Sequence, residues 1–349
     1  NPGHRWWATT LSSQVPHQSL SFIHICWLFV LSNLLQRPTT DRAFFIVLES
    51  IALEEAAWFA FKDCPTVEIH RSPPPRRIIK ILSLIGRYVS ARARIAVSLF
   101  KQKLLTGSLP GKRETWDLQR PVAIIRTWVT GNSLSNGRCV ETYFPGLREF
   151  LKSEGYEVVT VCDTVPPEIL PEFMEVQKKS LDRPMILSNQ LLTLFDYVRL
   201  LLKLVRCPAF DVEGASLRGL NVSALLRWEL RMGHVSGDHC YPLMQEFVIR
   251  RLRQTGWPIQ VVYFPYENQP WEQCFCHAMK THLPDVPRMG YMHSTFPELY
   301  LGFRHSLGHS KGLQYPDAIL CNGEETLRQF KTAGFSLAVR RLLPWRGRK

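Results

Sequence analysis

The stretch IQVVYFPYENQPWE, residues 259–272, decides how the rest of the chain is read. Its first six residues have the β-branched and aromatic content of a strand, and Pro265 ends the run. Pro270 suits the first turn of a helix, where an N–H has no partner to lose, and Asn268 or Gln269 precedes it as a cap. Glu272 then falls in the first helical turn, where the helix dipole favours an acid. Strand, turn and helix in fourteen residues make the βα step of an open sheet, and such sheets bind ligands beyond the carboxyl ends of their strands. Glu267 is the one acid here that helix capping does not require. A partly buried carboxylate at that place can take a proton from a sugar hydroxyl. The plainer reading is that PYENQPWE is simply a well-made helix start.

The same step recurs on both sides. RPVAIIRTWV (120–129) reads as a strand ending near Gly131, YFPGLREFLKSEG as a helix, and YEVVTV as the next strand, with Gly155 at the turn. Strand, helix and strand at this spacing form a βαβ unit with parallel strands. A helical stretch follows (LSNQLLTLFDYVRLLLKLV, ALLRWELR and YPLMQEFVIRRLRQ). After residue 272 come strand-like RMGYM and DAILC, and then the helix NGEETLRQFKTAG. The alternation predicts an α/β fold with a doubly wound, Rossmann-like parallel sheet over 119–335. Residues 1–72 read as a small α/β unit, with a helix-length run at 21–35, strand-like AFFIVL at 43–48 and helical IALEEAAWFAF at 51–61.

Between these two regions, at 73–118, lies a stretch of unusual charge. The 349-residue chain carries a net charge of +13, and from Ile69 to Arg113 there are eleven Lys and Arg and no acid. After Pro73-Pro74-Pro75 the pattern is that of one long helix. Ile78, Ile81, Leu82, Ile85, Val89, Ala96, Leu99 and Phe100 recur at three- and four-residue steps, and Lys80, Arg87, Arg94 and Lys101 fall every seventh position on another side. Residues 76–105 therefore form either a basic amphipathic helix lying on an anionic membrane surface, or a core-packed helix with a solvated cationic face. Nucleic acid is not the expected partner, because no aromatic residues interleave the basic face. The apolar run at 21–35 is about fifteen residues long with His24 and Asn33 inside it, short of the roughly twenty needed to span a bilayer. Nine scattered cysteines with no C-x-x-C pair fit a reducing, cytoplasmic setting better than a disulfide framework.

Two further segments carry candidate chemistry. GYMHST (290–295) places His293, Ser294 and Thr295 after a strand, where an imidazole and two hydroxyls can meet phosphate or sugar oxygens. CNGEET (321–326) offers Asn322 as an N-cap, with Glu325 three positions on completing a near capping box. Cys274, Cys276 and His277 share one helix at a spacing that does not converge on a metal, so no metal is expected. No phosphate-loop or glycine-rich dinucleotide signature occurs.

Three blocks taken together, YFPYENQPWE, GYMHSTFPELYLGF and YPDAILCNGEETLRQFKTAGF, resemble the bacterial surface carbohydrate (O-antigen) biosynthesis proteins, a family related to glycosyltransferases of the GT-B fold. They match its order of strand, E-N-Q-x-W-E helix, H-S-T loop and P-D-x-x-x-x-N-G. The resemblance implies transfer of a sugar from a nucleotide-sugar donor to a glycan or lipid-linked acceptor at the cytoplasmic membrane face, with no cofactor beyond the donor. Glu267 and His293 match the family by position, and the role read for them here is that Glu267, or else His293, is the general base. The remaining matching positions are Asn268, Gln269, Trp271, Glu272, Ser294, Thr295, Asn322 and Gly323. In that family a second domain holds the nucleotide, so residues 336–349, a basic tail, are expected to begin such a domain. A reading of another class is a non-catalytic membrane-associated scaffold, or a partial homologue of that pathway.

Overall fold

Eight residues, VAIIRTWV, six of them apolar with one arginine and one threonine, form an inner strand of the sheet, β1 (Val122–Val129). The computed structural model of the chain describes residues 19–35, 48, 50–63, 73–107, 117, 119–135, 138–179, 185–206, 210–294, 303, 314–333 and 338–341. They fall into two compact units, Asn1–Arg94 with Leu204–His239, and Ile95–Lys203 with Cys240–Lys349.

The second unit is built on seven strands. After β1 come β2 (Glu157–Thr164), β3 (Met185–Leu187), β4 (Ile259–Pro265), β5 (Arg288–Met292), β6 (Ala318–Cys321) and β7 (Ala338–Arg341). Their order across the sheet is β7-β6-β5-β4-β1-β2-β3, and every neighbouring pair is parallel. Such strands are buried on both faces, which is why they read as continuous apolar runs rather than alternations. Order 3-2-1-4-5-6 is the Rossmann arrangement, with its switch point between β1 and β4. The sequence reading ended this domain at residue 335, whereas β7 adds Ala338–Arg341 to the same sheet.

Helices cover both faces. Ala123 and Ile125 of β1 pack with Leu147 and Leu151 of α4 (Leu147–Ser153), and Val129 with Phe173 of α5 (Leu170–Lys179). On the other face, Arg126 and Trp128 meet Tyr241 of α8 (Cys240–Gln254) and Trp271 of α9 (Pro270–His282). Further helices among the described residues are α1 (Leu20–Leu35), α2 (Ile51–Phe61), α3 (Pro74–Thr106), α6 (Leu194–Val205), α7 (Ser223–Ser236) and α10 (Glu324–Thr332), besides a single turn at Ser188–Leu191. Among the described residues no helix is long and apolar enough to cross a membrane.

Arg126 is 1 % exposed. Its guanidinium bonds Asp163 of β2 and donates to the Tyr241 hydroxyl at 2.7 Å, and that hydroxyl donates to Asp163 at 2.6 Å. Burial works against the charge, but Asp163 and Tyr241 outweigh it and keep Arg126 protonated. Burial and the Asp163 carboxylate likewise hold the Tyr241 phenol far above its ordinary value, so it remains a donor.

The first unit packs α1, α2 and α7 around Leu28, Leu31, Ala52, Ala56, Phe61 and Leu225. Glu229 of α7 accepts from the Ser19 hydroxyl and the Ser21 N–H, both at 2.7 Å, and so closes the start of α1. The sequence reading placed Leu204–His239 in the α/β domain; these residues belong instead with the amino-terminal helices, because α7 buries Leu225 against them. Of the strand predicted at 43–48, residues 43–47 lie outside the described residues and Leu48 is not in a strand. Arg92 of α3 turns inward, its guanidinium 4.5 Å from the Tyr88 ring centre and bonded to the His234 carbonyl. His239 is 5 % exposed, and burial, with His234 and Arg92 nearby, lowers its pKa to about 4.

Two outcomes follow for stability. His239 is neutral in the fold and titrates near its ordinary value when unfolded, so the unfolded chain binds the extra proton between pH 6.5 and 4. Stability of the first unit then falls as pH drops through that window, by on the order of 3 kcal/mol in all, and His239→Gln flattens the loss in pH-dependent urea melts. Arg126→Ala leaves Asp163 buried without its partner and costs about 3–5 kcal/mol. Arg126→Met with Asp163→Leu, which leaves no charge behind, costs less in the same melts.

Candidate functional site

Parallel pairing of β4 with β5 sets Pro265 opposite Tyr291. Counting two residues on from each brings Glu267 beside His293, because side chains at equal offsets on neighbouring parallel strands lie on the same side about 4.8 Å apart. His293 Nε2 stands 3.6 Å from Glu267 Oε1, with side chains 30 % and 40 % exposed. The pair sits on the carboxyl rim of the sheet, next to the switch point between β1 and β4.

The turn that presents Glu267 is held from below. Glu272 accepts the backbone N–H groups of Glu267 at 2.8 Å and Gln269 at 3.0 Å. It is 2 % exposed; burial pushes its carboxyl well above the usual value, while those N–H donors pull the other way. Asn268 takes the left-handed conformation (φ 59°), and its Oδ1 accepts from Tyr266 at 3.3 Å and from Gln273 at 3.1 Å. Asparagine tolerates that region where most residues do not. Gly290 on β5 makes room for this, since a Cβ there would come within 2.9 Å of the Tyr266 Cβ. Trp271 packs edge-on to Trp128 at 5.2 Å between ring centres.

The sequence-predicted residues therefore divide. Asn268, Trp271 and Glu272 face inward and build the turn, Gln269 is the half-buried cap of α9, and Glu267 stands at the rim. Ser294 is half-buried just beyond His293, and Thr295 lies outside the described residues. Asn322 does not cap α10: Gly323 holds that position in an extended conformation (φ −169°). Asn322 instead donates to the His293 carbonyl at 2.6 Å and accepts from the Thr326 hydroxyl at 3.0 Å, so it steadies the backbone under the imidazole. Glu325, expected to complete a capping box, pairs with Arg328 at 2.6 Å. Asp317 of the P-D pair lies just before β6, at the amino ends of the strands and away from the carboxyl rim. There burial would raise its carboxyl, but bonds from Arg288 at 2.6 and 2.9 Å outweigh burial and hold it below the ordinary value.

Sequence reasoning missed Tyr143 and Glu141. The Tyr143 ring meets His293 edge-on at 5.2 Å between centres. Burial raises the Tyr143 phenol, and Glu267 and Glu141 add to it, so Tyr143 is a donor facing the pair. Glu141 accepts from the Thr127 hydroxyl at 2.8 Å and from the N–H groups of Tyr143 at 2.7 Å and Phe144 at 2.5 Å, fixing the loop that carries Tyr143. Burial raises its carboxyl while those three donors oppose the rise. The available signal was an acid two residues before a tyrosine, at the start of YFPGLREF.

A cavity of about 210 Å³ opens on the α4 side, lined by Cys139, Glu141, Phe144, Arg148, Thr160 and Met185 among others. Neither Glu267 nor His293 lines it. The rim is the better candidate, because in the cavity Glu141 already takes three donors and Arg148 is bonded to the Val158 carbonyl and the Thr160 hydroxyl. Cys274 and Cys276 are fully buried in α9, and their thiols are pushed up by burial.

Comparison of the chain with protein-family models, with curated proteins and with solved structures gave no match.

The two acids of this turn are separable by measurement. Glu272→Ala strands buried N–H groups and lowers stability by about 1–3 kcal/mol. Glu267→Ala removes a side chain that is 40 % exposed at the rim and costs less than Glu272→Ala in the same denaturant melts.

Proposed function

We propose that this chain takes part in surface polysaccharide (O-antigen) biosynthesis as a glycosyltransferase, moving a sugar from a nucleotide-sugar donor to a glycan or lipid-linked acceptor. The observation that carries the reading is the Glu267–His293 pair, 3.6 Å apart on the carboxyl rim of a Rossmann-ordered sheet. The likeness of the three late sequence blocks to that family supports it independently.

In this reading Glu267 is the base. His293 Nδ1 is buried with no acceptor or donor among the described residues, so the imidazole works through Nε2, which faces Glu267. An N–H at that atom orients the carboxylate without neutralising it. The acceptor hydroxyl gives its proton to Glu267, its oxygen bonds to the anomeric carbon, and the bond from that carbon to the diphosphate breaks. The electron pair leaves with the nucleoside diphosphate. Tyr143 and Ser294 are placed to donate to sugar or phosphate oxygens at the same rim.

A second reading, a non-catalytic membrane-associated scaffold, draws on the exposed apolar residues of α3. Release of nucleoside diphosphate from UDP-, GDP- and dTDP-sugars in the presence of lipid-linked glycan acceptors separates the two. Under the enzyme reading, Glu267→Gln and His293→Ala each lower turnover by about 100- to 10,000-fold without changing the thermal midpoint. Wild-type rates in both variants remove the pair from the mechanism, and absence of turnover and of nucleotide-sugar binding in the wild type favours the scaffold.

A further inference from the structure

The apolar stripe of α3 is not covered. Ile78, Ile81, Leu82, Ile85 and Val89 recur at three- and four-residue steps, yet each is between 54 % and 62 % exposed. The helix is held to its own unit by a different side. Ala91 is buried, Tyr88 lies 5.4 Å from the His234 ring, and Arg92 bonds the His234 carbonyl. Farther along the helix Leu99 is buried in the second unit, while Val97 and Leu104 are exposed. A run of branched aliphatic side chains exposed in this way marks an interaction surface rather than ordinary surface scatter.

We infer that residues 78–94 of α3 dock on an anionic lipid bilayer, with the aliphatic stripe entering the acyl boundary and the helix lying parallel to the surface. Charge selects this occupant. Arg87 and Arg94 are exposed on the same helix, and no acidic residue occurs from Ile69 to Arg113. A second copy of the helix would bring like charges together with no carboxylate to pair them. A nucleic acid would take the cations and leave the aliphatic side chains in water. An anionic headgroup layer over an acyl interior satisfies both sets at once. The inference does not rest on the glycosyltransferase reading, and its test contains no nucleotide sugar, so either can fail alone.

The test is flotation of the full chain with vesicles of phosphatidylcholine, and of phosphatidylcholine mixed with phosphatidylglycerol. The wild type floats with the mixed vesicles and floats less at high salt. Leu82→Glu with Ile85→Glu lowers binding by more than about a hundredfold, while circular dichroism and the thermal midpoint stay as in wild type. Ile85→Ser with Val89→Ser is the milder pair should glutamate disturb the fold, and it shifts binding in the same direction. Arg87→Ser and Arg94→Ser each weaken binding to the mixed vesicles by about fivefold. The inference is overturned if the wild type stays unbound to the mixed vesicles, if the substituted chains float as well as wild type, or if light scattering shows a dimer that the glutamate pair dissolves without any flotation.

Discussion

A guanidinium inside a parallel sheet is the constraint around which the second unit is arranged. Arg126 lies in the middle of β1, where its neighbours are Ile124, Ile125 and Val129, all at most 1 % exposed. A charge there is tolerable only when it is paired with an opposite charge and hydrogen-bonded. Asp163 on the adjacent strand and Tyr241 at the head of α8 supply that pairing, and Trp128 and Trp271 lie with their ring centres 5.7 Å from the guanidinium carbon. One residue thus ties β1, β2, α8 and α9 together. It also fixes Trp271, and with it the start of the helix whose preceding turn presents Glu267.

The rim site depends on that anchoring and on a second, steric requirement. Tyr266 is fully buried against Gly290, with no room for a Cβ, and its hydroxyl bonds the left-handed Asn268. Glu272 then gathers the N–H groups on both sides of the turn. The result is a turn whose backbone N–H groups are gathered by Glu272, with the Glu267 side chain at the rim beside His293. A catalytic constellation requires rigid support of this kind beneath its reactive groups. His293 is braced in the same manner, through Asn322 below its carbonyl and Tyr143 against its ring.

The first unit follows a different logic. Its core is a helical packing of Leu28, Ala56 and Leu225, and the polar closures at Glu229 and Ser50 satisfy helix ends. Of the two readings open for the amphipathic helix, packing into the core or lying on a lipid surface, the core accounts for Leu99 and not for Ile78 to Val89. A helix can carry two apolar stripes with different destinations, and periodicity does not distinguish them.

Local sequence determined a good deal. Apolar runs bounded by glycine and proline marked β1, β2, β4, β5 and β6, the Gln269-Pro270 pair marked the start of α9, and Glu267 stood out because capping did not require it. These are near-neighbour effects, written in adjacent residues. Tertiary structure alone decided that Glu267 and His293 meet, since strand register is a pairing of distant segments and no local pattern encodes it. The same holds for the burial of Arg126, the assignment of Leu204–His239 to the first unit, and the change of Asn322 from cap to brace. Each depends on what lies across a gap in space, and hydrophobic periodicity records only that a residue is covered, not by what.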